Sequence, residues 1–273
     1  MWRWLTLGAA WIACCAIVRA DVTLLLEEPF GGFWSMNPAH SAIYLSRVCA
    51  DSPVALRRCK AGENGVVISR YHRISGYDWV AIPVIPYLYV VDRAEEVPST
   101  ATREQIAELR DAYRRSHLEK VAPDQSDGSA PQGDWTQLVG EAYDRSIYGF
   151  TLPTTESQDD LLIQDFNSRP NRKRFNLLFQ NCANFAMQVI DTYYPKSIHR
   201  AIWPEFGIMT PRQAAKCMIR FGQRHPELQS SAFVIAQVRG PKPRSKTVNG
   251  ILALWKPRSY RDPPFGALPP SRD

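Results

Sequence analysis

Strand-forming and helix-forming segments are segregated along this chain, and their order constrains the fold more than any other feature. The first third contains a short strand-like segment at 22–27 and two runs rich in Val, Ile and Tyr at 65–74 and 79–91. Pro83 and Pro86 prevent the last run from being one central strand. Segments with helical spacing or capping signals follow, at 102–122, 155–167, 182–194 and from Thr210 onward. Two further apolar runs, 232–238 and 251–255, complete one compact domain.

Composition excludes several classes of protein. The chain has 273 residues, of which 45% are hydrophobic and 22% charged, so it can bury a substantial core. A disordered, collagenous or multi-pass membrane protein is excluded by that balance. The formal net charge of +6 is mild, and the basic residues do not form the long run of a nucleic-acid-binding arm. We therefore expect no nucleic acid as a partner.

The first twenty residues have the layout of an export signal. Arg3 precedes fourteen uncharged residues, 5–18, and Val18-Arg19-Ala20 places short side chains at the −3 and −1 positions of a cleavage site. A membrane span needs about 20 apolar residues, which is more than this run offers. The pattern predicts a signal peptide over 1–20 and an exported protein, periplasmic or secreted. The alternative is an uncleaved signal that anchors the chain, and only then do we expect membrane association.

The rest of the chain divides into a domain and a tail. Residues 21–255 are expected to form a single domain with helical insertions. Residues 256–273 are rich in Pro and Arg, and we expect them to be disordered.

Four cysteines follow the predicted signal. Cys49 and Cys59 lie ten positions apart and could close a small disulfide loop in an oxidising compartment. Cys182 and Cys217 have no obvious local mate. Three alternatives stay open for them: a mutual disulfide, a buried apolar side chain, or a reactive thiol.

Cys182 and His40 are the candidates for nucleophile and base. Cys182 stands at the predicted start of a helix, where free N–H groups and the helix dipole favour the thiolate and lower the pKa of a thiol. His40 opens a strand-like segment in which it shares one face with Ala42, Tyr44 and Ser46, facing a helix packed across the sheet. The alternatives are a buried structural cysteine and a hydrogen-bonded core histidine.

Two short elements together resemble a known superfamily. His-x-Ala-Ile-Tyr-Leu at 40–45 and Gln-Asn-Cys-Ala-Asn-Phe at 180–185 resemble the circularly permuted branch of the papain-like, NlpC-type superfamily. Lecithin retinol acyltransferase-like proteins and the Lnb N-terminal periplasmic domain family belong to the same group. Ordinary papain-like enzymes have the cysteine helix before the histidine strand, whereas here the histidine comes first. The resemblance covers roughly residues 30 to 195.

That resemblance implies an α+β fold, in which an antiparallel sheet packs against a helix carrying the cysteine at its N-terminus. It also implies that Cys182 attacks an acyl carbonyl, that His40 exchanges the proton, and that the Cys182 N–H helps to hold the oxyanion. Asn181 precedes the cysteine. We expect it to cap the helix or fix the loop rather than contact the oxyanion.

A third, orienting residue is expected on the strand after the histidine strand, since the relatives place a polar side chain there. We choose His72 within the run 65–74, because its imidazole could share the hydrogen bond of the second His40 nitrogen. Ser69, Tyr71 and Arg73 face the other way if strand alternation holds, so an error of one residue in register would replace His72.

The expected function is therefore an exported cysteine-dependent hydrolase or acyltransferase acting on amide or ester acyl groups of a cell-wall peptide or a lipid. The alternative is a non-catalytic envelope binding module that keeps the fold. No metal or cofactor is expected, because the metal-site and nucleotide-site motifs are missing from the sequence. A basic cluster could attract an anionic polymer or lipid headgroup, although a solvated loop explains it more simply: Arg169, Arg172, Lys173 and Arg174.

Overall fold

The structure is a computed structural model that describes 20–31, 38–72, 74–131, 133–173, 175–203 and 205–248, together with Ile251, Leu254, Pro263 and Phe265. The predicted signal lies outside these residues except for Ala20, which begins the first strand. Most of the predicted tail also lies outside them. Phe265 is buried, with its ring against Tyr44 and Phe233, so the chain is packed at that residue. None of the described helices is both long enough and apolar enough to span a membrane.

The described residues form eight strands and six α-helices. The strands are β1 (Ala20–Glu27), β2 (His40–Leu45), β3 (Val48–Ser52), β4 (Ala55–Arg58), β5 (Val66–Ser69), β6 (Val80–Pro83), β7 (Ile147–Thr154) and β8 (Ser231–Ile235). The helices are α1 (Val84–Tyr89), α2 (Arg103–His117), α3 (Glu141–Asp144), α4 (Glu156–Ser168), α5 (Cys182–Tyr193) and α6 (Pro211–Arg224).

A six-stranded antiparallel sheet lies between two layers of helices. Its strand order is β6-β5-β2-β1-β7-β8, and β3 with β4 forms a separate hairpin. Successive side chains of a strand point to opposite faces of the sheet, and buried apolar side chains cover both faces. On β2, Ile43 and Leu45 pack with α4, α5 and α6, whereas Ala42 and Tyr44 pack with α1, α2 and α3. The fold is therefore mixed α+β, with an antiparallel sheet packed against helices.

The hairpin is closed by a disulfide. Cys49 and Cys59 are bonded, with their Cα atoms 4.8 Å apart. Glu63 lies beside the two sulfur atoms, but sulfur atoms bonded to each other are not free to bind a metal ion. Cys182 and Cys217 are both buried free thiols, so the alternative of a mutual disulfide is wrong.

Helix positions follow from local capping signals. Thr102 and Thr155 cap α2 and α4, each in a reciprocal capping box with a Gln three residues later. Thr210 caps α6 and is followed by Pro211 at the first helical position, where no intrahelical N–H bond is required. These starts confirm the helices predicted from the sequence.

The run 79–91 differs from the prediction. It holds the short strand β6 and then α1, so its second half is helical rather than β-rich. Pro83 lies outside α1 as its N-cap residue, and Pro86 occupies the first turn, where a backbone N–H has no intrahelical acceptor. Both prolines therefore favour a helix start here. The run 65–74 is also shorter as a strand than expected, because β5 ends at Ser69.

Candidate active site

Cys182 is the first residue of α5 and faces a cleft. Asn181 precedes it as the N-cap, and its side-chain oxygen accepts the backbone N–H of Asn184 at 2.9 Å. Cys182 itself is 8% exposed and lines a cavity of about 730 Å³ together with His40. A ligand in that cavity can therefore reach the thiol at a helix N-terminus, as the sequence predicted.

His40 begins β2 at the end of the sheet where β1 and β5 end. Glu27, the last residue of β1, is its pairing partner. The structure corrects the expected face: α5 packs on the side of Ile43 and Leu45, whereas His40 shares the opposite side with Ala42 and Tyr44. The imidazole and the thiol therefore meet around the end of the strand rather than across the sheet.

Ser69 holds the ring of His40. Its Oγ lies 2.7 Å from His40 Nε2 and donates its own proton to the carbonyl of Ser41 at 3.1 Å. A hydroxyl has one proton, so Ser69 accepts from Nε2–H. Nδ1 is then the imidazole nitrogen left for the Cys182 thiol, and the charges of the two groups act on each other.

His72 does not take the orienting position. It lies three residues beyond the end of β5, its side chain is exposed, and its ring contacts Phe175 at 5.5 Å between centroids. Register explains the difference: Tyr44 pairs with Val67, so Ser69 shares the face of His40 instead of pointing away from it. His72 still lines the cavity.

The thiol and imidazole favour a thiolate–imidazolium pair. Burial lowers the pKa of His40, but the charge of Cys182, the charge of Glu27 and the Cys182 hydrogen bond outweigh it and raise that pKa to about 9. Burial raises the pKa of Cys182, but the His40 charge and hydrogen bonds from His40 and Ser41 outweigh burial and lower it. Opposite shifts of this kind convert a weak thiol nucleophile into a thiolate near neutral pH.

A buried group of polar side chains supports His40 from behind. The Tyr71 ring stacks on the imidazole at 4.7 Å, and its hydroxyl donates to that of Tyr87, which donates to Glu27. Glu27 also faces Arg145 at 3.5 Å. Burial beside Glu27 raises the pKa of both tyrosines, which keeps them neutral donors. The negative charge of Glu27 is thereby held near the imidazole.

Arg145 also pairs with a second buried carboxyl group. Its Nε lies 2.8 Å from Glu141. Burial raises the pKa of Glu141 to about 8, although the charge of Arg145 lowers it. One arginine thus lies between two buried acids, and the pKa of Glu141 shows that burial outweighs the ion pair for that acid.

Asn181 and Arg70 fix the backbone at the thiol. The Asn181 amide donates to the carbonyls of Leu177 and Met209 at 2.8 and 2.9 Å. Arg70 donates to the Asn181 carbonyl at 3.5 Å and is itself held by Asp78 through two hydrogen bonds of 2.7 and 2.9 Å. Asn181 therefore has the expected cap role and a second one, because it connects two loops to the start of α5.

Sequence reasoning missed most of the residues around the pair. Strand alternation predicts that Ser69 faces the other way, and nothing in the sequence pattern marks Ser41, Arg70 or Glu27. Glu27, Ser41 and Ser69 meet His40 through pairing between strand residues 13 to 29 positions apart, and pairing leaves no local signal. The end of β5 at Ser69 was the one available clue, since Arg70 breaks the apolar run there.

The arrangement can support acyl transfer. In such a reaction a thiolate would serve as the nucleophile and an imidazolium as the acid, and the first N–H groups of α5, which have no intrahelical acceptor, could hold an oxyanion. No group in this chemistry requires a metal.

Comparisons with known proteins leave the family open. No family model matches the chain, and no curated protein matches its sequence. A crystal structure of the type VI secretion system effector TseH is similar over 75% of this chain and 89% of its own, at 15% identity and a TM-score of 0.33. A TM-score at that level does not establish a shared fold. The chemistry of the site therefore rests on its own geometry.

Proposed function

We propose that this protein is a cysteine-dependent hydrolase or acyltransferase that acts on amide or ester acyl groups. The observation that supports it is the connected set Ser41–Ser69–His40–Cys182 at a helix start inside a cavity. Cys182 is the nucleophile, His40 the acid and base, and Ser69 the residue that orients the ring.

The reaction would proceed in two halves. The Cys182 thiolate attacks the acyl carbon, a C–S bond forms, and the carbonyl electrons move to an oxyanion held at the α5 N-terminus. The oxyanion collapses, the bond to the amine or alcohol breaks, and His40 gives its proton to that leaving group. Neutral His40 then takes a proton from water, or from an acceptor nucleophile, which attacks the thioester and releases Cys182.

We also propose that the protein works outside the cytoplasm, in the periplasm or as a secreted protein. The Cys49–Cys59 disulfide supports this location, because structural disulfides persist in oxidising compartments. The export signal predicted from the sequence agrees with it.

Acylation of the full chain by p-nitrophenyl acetate tests the assignment. We expect a burst of p-nitrophenol and one acetyl group on Cys182, found by intact mass and peptide mapping. Cys217→Ala is the matched control, because it removes the second buried free thiol among the residues that the structure describes, and it should acylate normally. Cys182→Ala should lose both the burst and the adduct. Undiminished acylation of Cys182→Ala would overturn the nucleophile assignment and favour the binding-module alternative.

A further inference from the structure

Two loops beside the cleft expose an unusual amount of apolar surface. Eight large hydrophobic side chains are exposed in the described residues, and six of them lie in these loops, 175–181 and 201–209. We call the six the apolar rim: Leu177, Leu178, Phe179, Ile202, Trp203 and Phe206. Ile202, Trp203 and Phe206 are 85%, 77% and 76% exposed.

The apolar rim is tied together and to the thiol. The Arg200 guanidinium lies over the Phe179 ring at 5.4 Å and donates to the Gly207 carbonyl at 3.2 Å, so it bridges the two loops. Nη2 of the same guanidinium group donates to the side-chain oxygen of Asn184 in α5 at 2.5 Å. Asn181 also connects both loops to the start of α5, as described above. The rim therefore has a fixed position relative to Cys182.

The same loops also line the cleft. Leu177 of the first loop and Ile208 and Met209 of the second border the cavity that contains Cys182 and His40. A surface that covers the rim would therefore lie next to the entrance to the thiol.

Exposure on this scale indicates a partner. Burial of apolar surface is favourable by about 25 cal/mol of free energy per Å², and exposed apolar surface lacks this stabilisation. Soluble proteins rarely gather exposed apolar groups into one patch without a binding role. The rim includes Trp203, whose ring contacts Phe206 at 5.5 Å between centroids. Tryptophan is enriched where an apolar medium meets water, because its ring is apolar and its N–H is a donor.

The charge around the rim is positive. Residues 169–212 contain seven Lys or Arg and two Asp or Glu. Arg172 and Lys173 are exposed and border a second hollow that shares Tyr71, His72 and Phe175 with the cleft. An apolar patch with a basic border is complementary to a bilayer with anionic headgroups.

We propose that the apolar rim docks on an anionic phospholipid bilayer and places the entrance of the cleft against the lipid surface. Trp203, Ile202 and Phe206 would enter the headgroup layer, while Arg172 and Lys173 contact lipid phosphates. Docking needs no uncleaved signal. The step from docking to substrate, an acyl lipid taken from that bilayer, rests on the proposed function of Cys182.

Co-sedimentation of full-length Cys182→Ala protein with vesicles tests docking apart from catalysis. The vesicles contain phosphatidylcholine alone or phosphatidylcholine with phosphatidylglycerol. We expect stronger binding to the anionic vesicles. Adding Trp203→Ser and Phe206→Ser should weaken it by about 10-fold or more, because two interfacial aromatic rings are lost. Arg172→Gln with Lys173→Gln should reduce the gain from phosphatidylglycerol by roughly 5-fold for each charge.

A matched control removes exposed apolar side chains elsewhere. Leu161 on α4 and Val234 on β8 are also exposed, and their replacement by Ser should leave vesicle binding unchanged. Far-ultraviolet circular dichroism of each variant verifies folding. Equal binding by the rim variant and the parent, or no binding to anionic vesicles, would overturn the proposal. So would a concentration-dependent dimer that is lost in the rim variant, because the rim would then be a protein interface.

The two proposals can fail separately. Vesicle binding without acylation of Cys182 would overturn the thiol chemistry and leave docking standing. Acylation by the soluble ester without vesicle binding would overturn docking alone.

Discussion

At the scale of single residues, the reactivity proposed for Cys182 depends on a proton that is held by His40 instead of by the thiol. His40 would ordinarily lose its proton near neutral pH and Cys182 would keep its own, and burial alone would strengthen both tendencies. Their proximity reverses them, with Glu27 adding negative charge behind the ring. The reactivity of Cys182 is thus a property of the pair.

Removing the thiolate should therefore change the imidazole. In Cys182→Ala we expect the pKa of His40 to fall well below 9, because the charge of Cys182 is the largest of the effects that raise it. Titration of the His40 ring carbon signals by NMR measures this pKa. Cys217→Ala serves as the control, and its His40 should titrate as in the parent. A His40 pKa unchanged in Cys182→Ala would contradict the coupling.

Ser69 should matter through orientation. In Ser69→Ala, Nε2–H loses its acceptor inside a buried site, so we expect kcat/KM for acyl transfer to fall about 10- to 100-fold. The loss should appear mainly in kcat, since Ser69 is absent from the residues that line the cleft. The pH profile for thiol labelling should also change in Ser69→Ala. In His72→Ala it should stay the same as in the parent. The reverse result would return the orienting role to His72.

At the scale of elements, the residues of the site lie at the ends of three strands and at the start of one helix. β1 ends at Glu27, β2 begins at His40, β5 ends at Ser69 and α5 begins at Cys182. Three of these ends belong to neighbouring antiparallel strands, so they lie at one end of the sheet. The N-cap Asn181 then holds the helix start and both loops of the apolar rim.

Loss of that cap should affect stability and reactivity together. Asn181→Ala should cost about 1 kcal/mol in the free energy of unfolding and slow alkylation of Cys182, because two loop contacts are lost with the cap. Thr155→Ala is the matched control: it removes the cap of α4, whose first turn lies at the opposite end of α5 from Cys182, where Gln158 donates to the Tyr193 carbonyl. It should lower stability by a similar amount at an unchanged alkylation rate, as measured by urea unfolding and mass spectrometry. Equal labelling rates in both variants would argue against the positioning role.

Features that depend on contacts between residues close in sequence could be predicted, whereas features that depend on contacts between distant residues could not. Thr102, Thr155, Thr210 and Asn181 mark helix starts through contacts within four residues, and each marks the correct position. The orienting residue could not be predicted in this way, because Ser69 contacts His40 only through the register in which β2 pairs with β5. The helical second half of 79–91 was also hidden, since apolar residues on a buried helix resemble those of a buried strand.

At the scale of the whole molecule, one sheet separates two apolar cores. One core contains α5, which begins with Cys182, and the other lies on the His40 face of the sheet, beside the buried acids. The Cys49–Cys59 hairpin lies apart from the site, and α4 contacts it through Arg58, which pairs with Asp160. The disulfide should therefore contribute to stability without contributing to chemistry.

A double variant, Cys49→Ser with Cys59→Ser, should lose about 2 to 3 kcal/mol of stability, because a closed loop of this size restricts the unfolded chain by that amount. Urea unfolding with and without a reductant measures the difference, and only the parent should respond to the reductant. Acylation of Cys182 in the folded variant should stay normal. Loss of acylation with stability intact would mean that the disulfide shapes the site.

The thiolate–imidazolium pair is tested most directly by the pH dependence of Cys182 alkylation by iodoacetamide, followed by mass spectrometry in the Cys217→Ala background. Because the pKa of Cys182 is lowered, the rate should rise with a midpoint below the ordinary thiol value. Acyl transfer, which also needs protonated His40, should decline as pH rises through about 9. An alkylation rate that climbs with a midpoint at or above the ordinary thiol value of about 8.5 would contradict the thiolate–imidazolium pair.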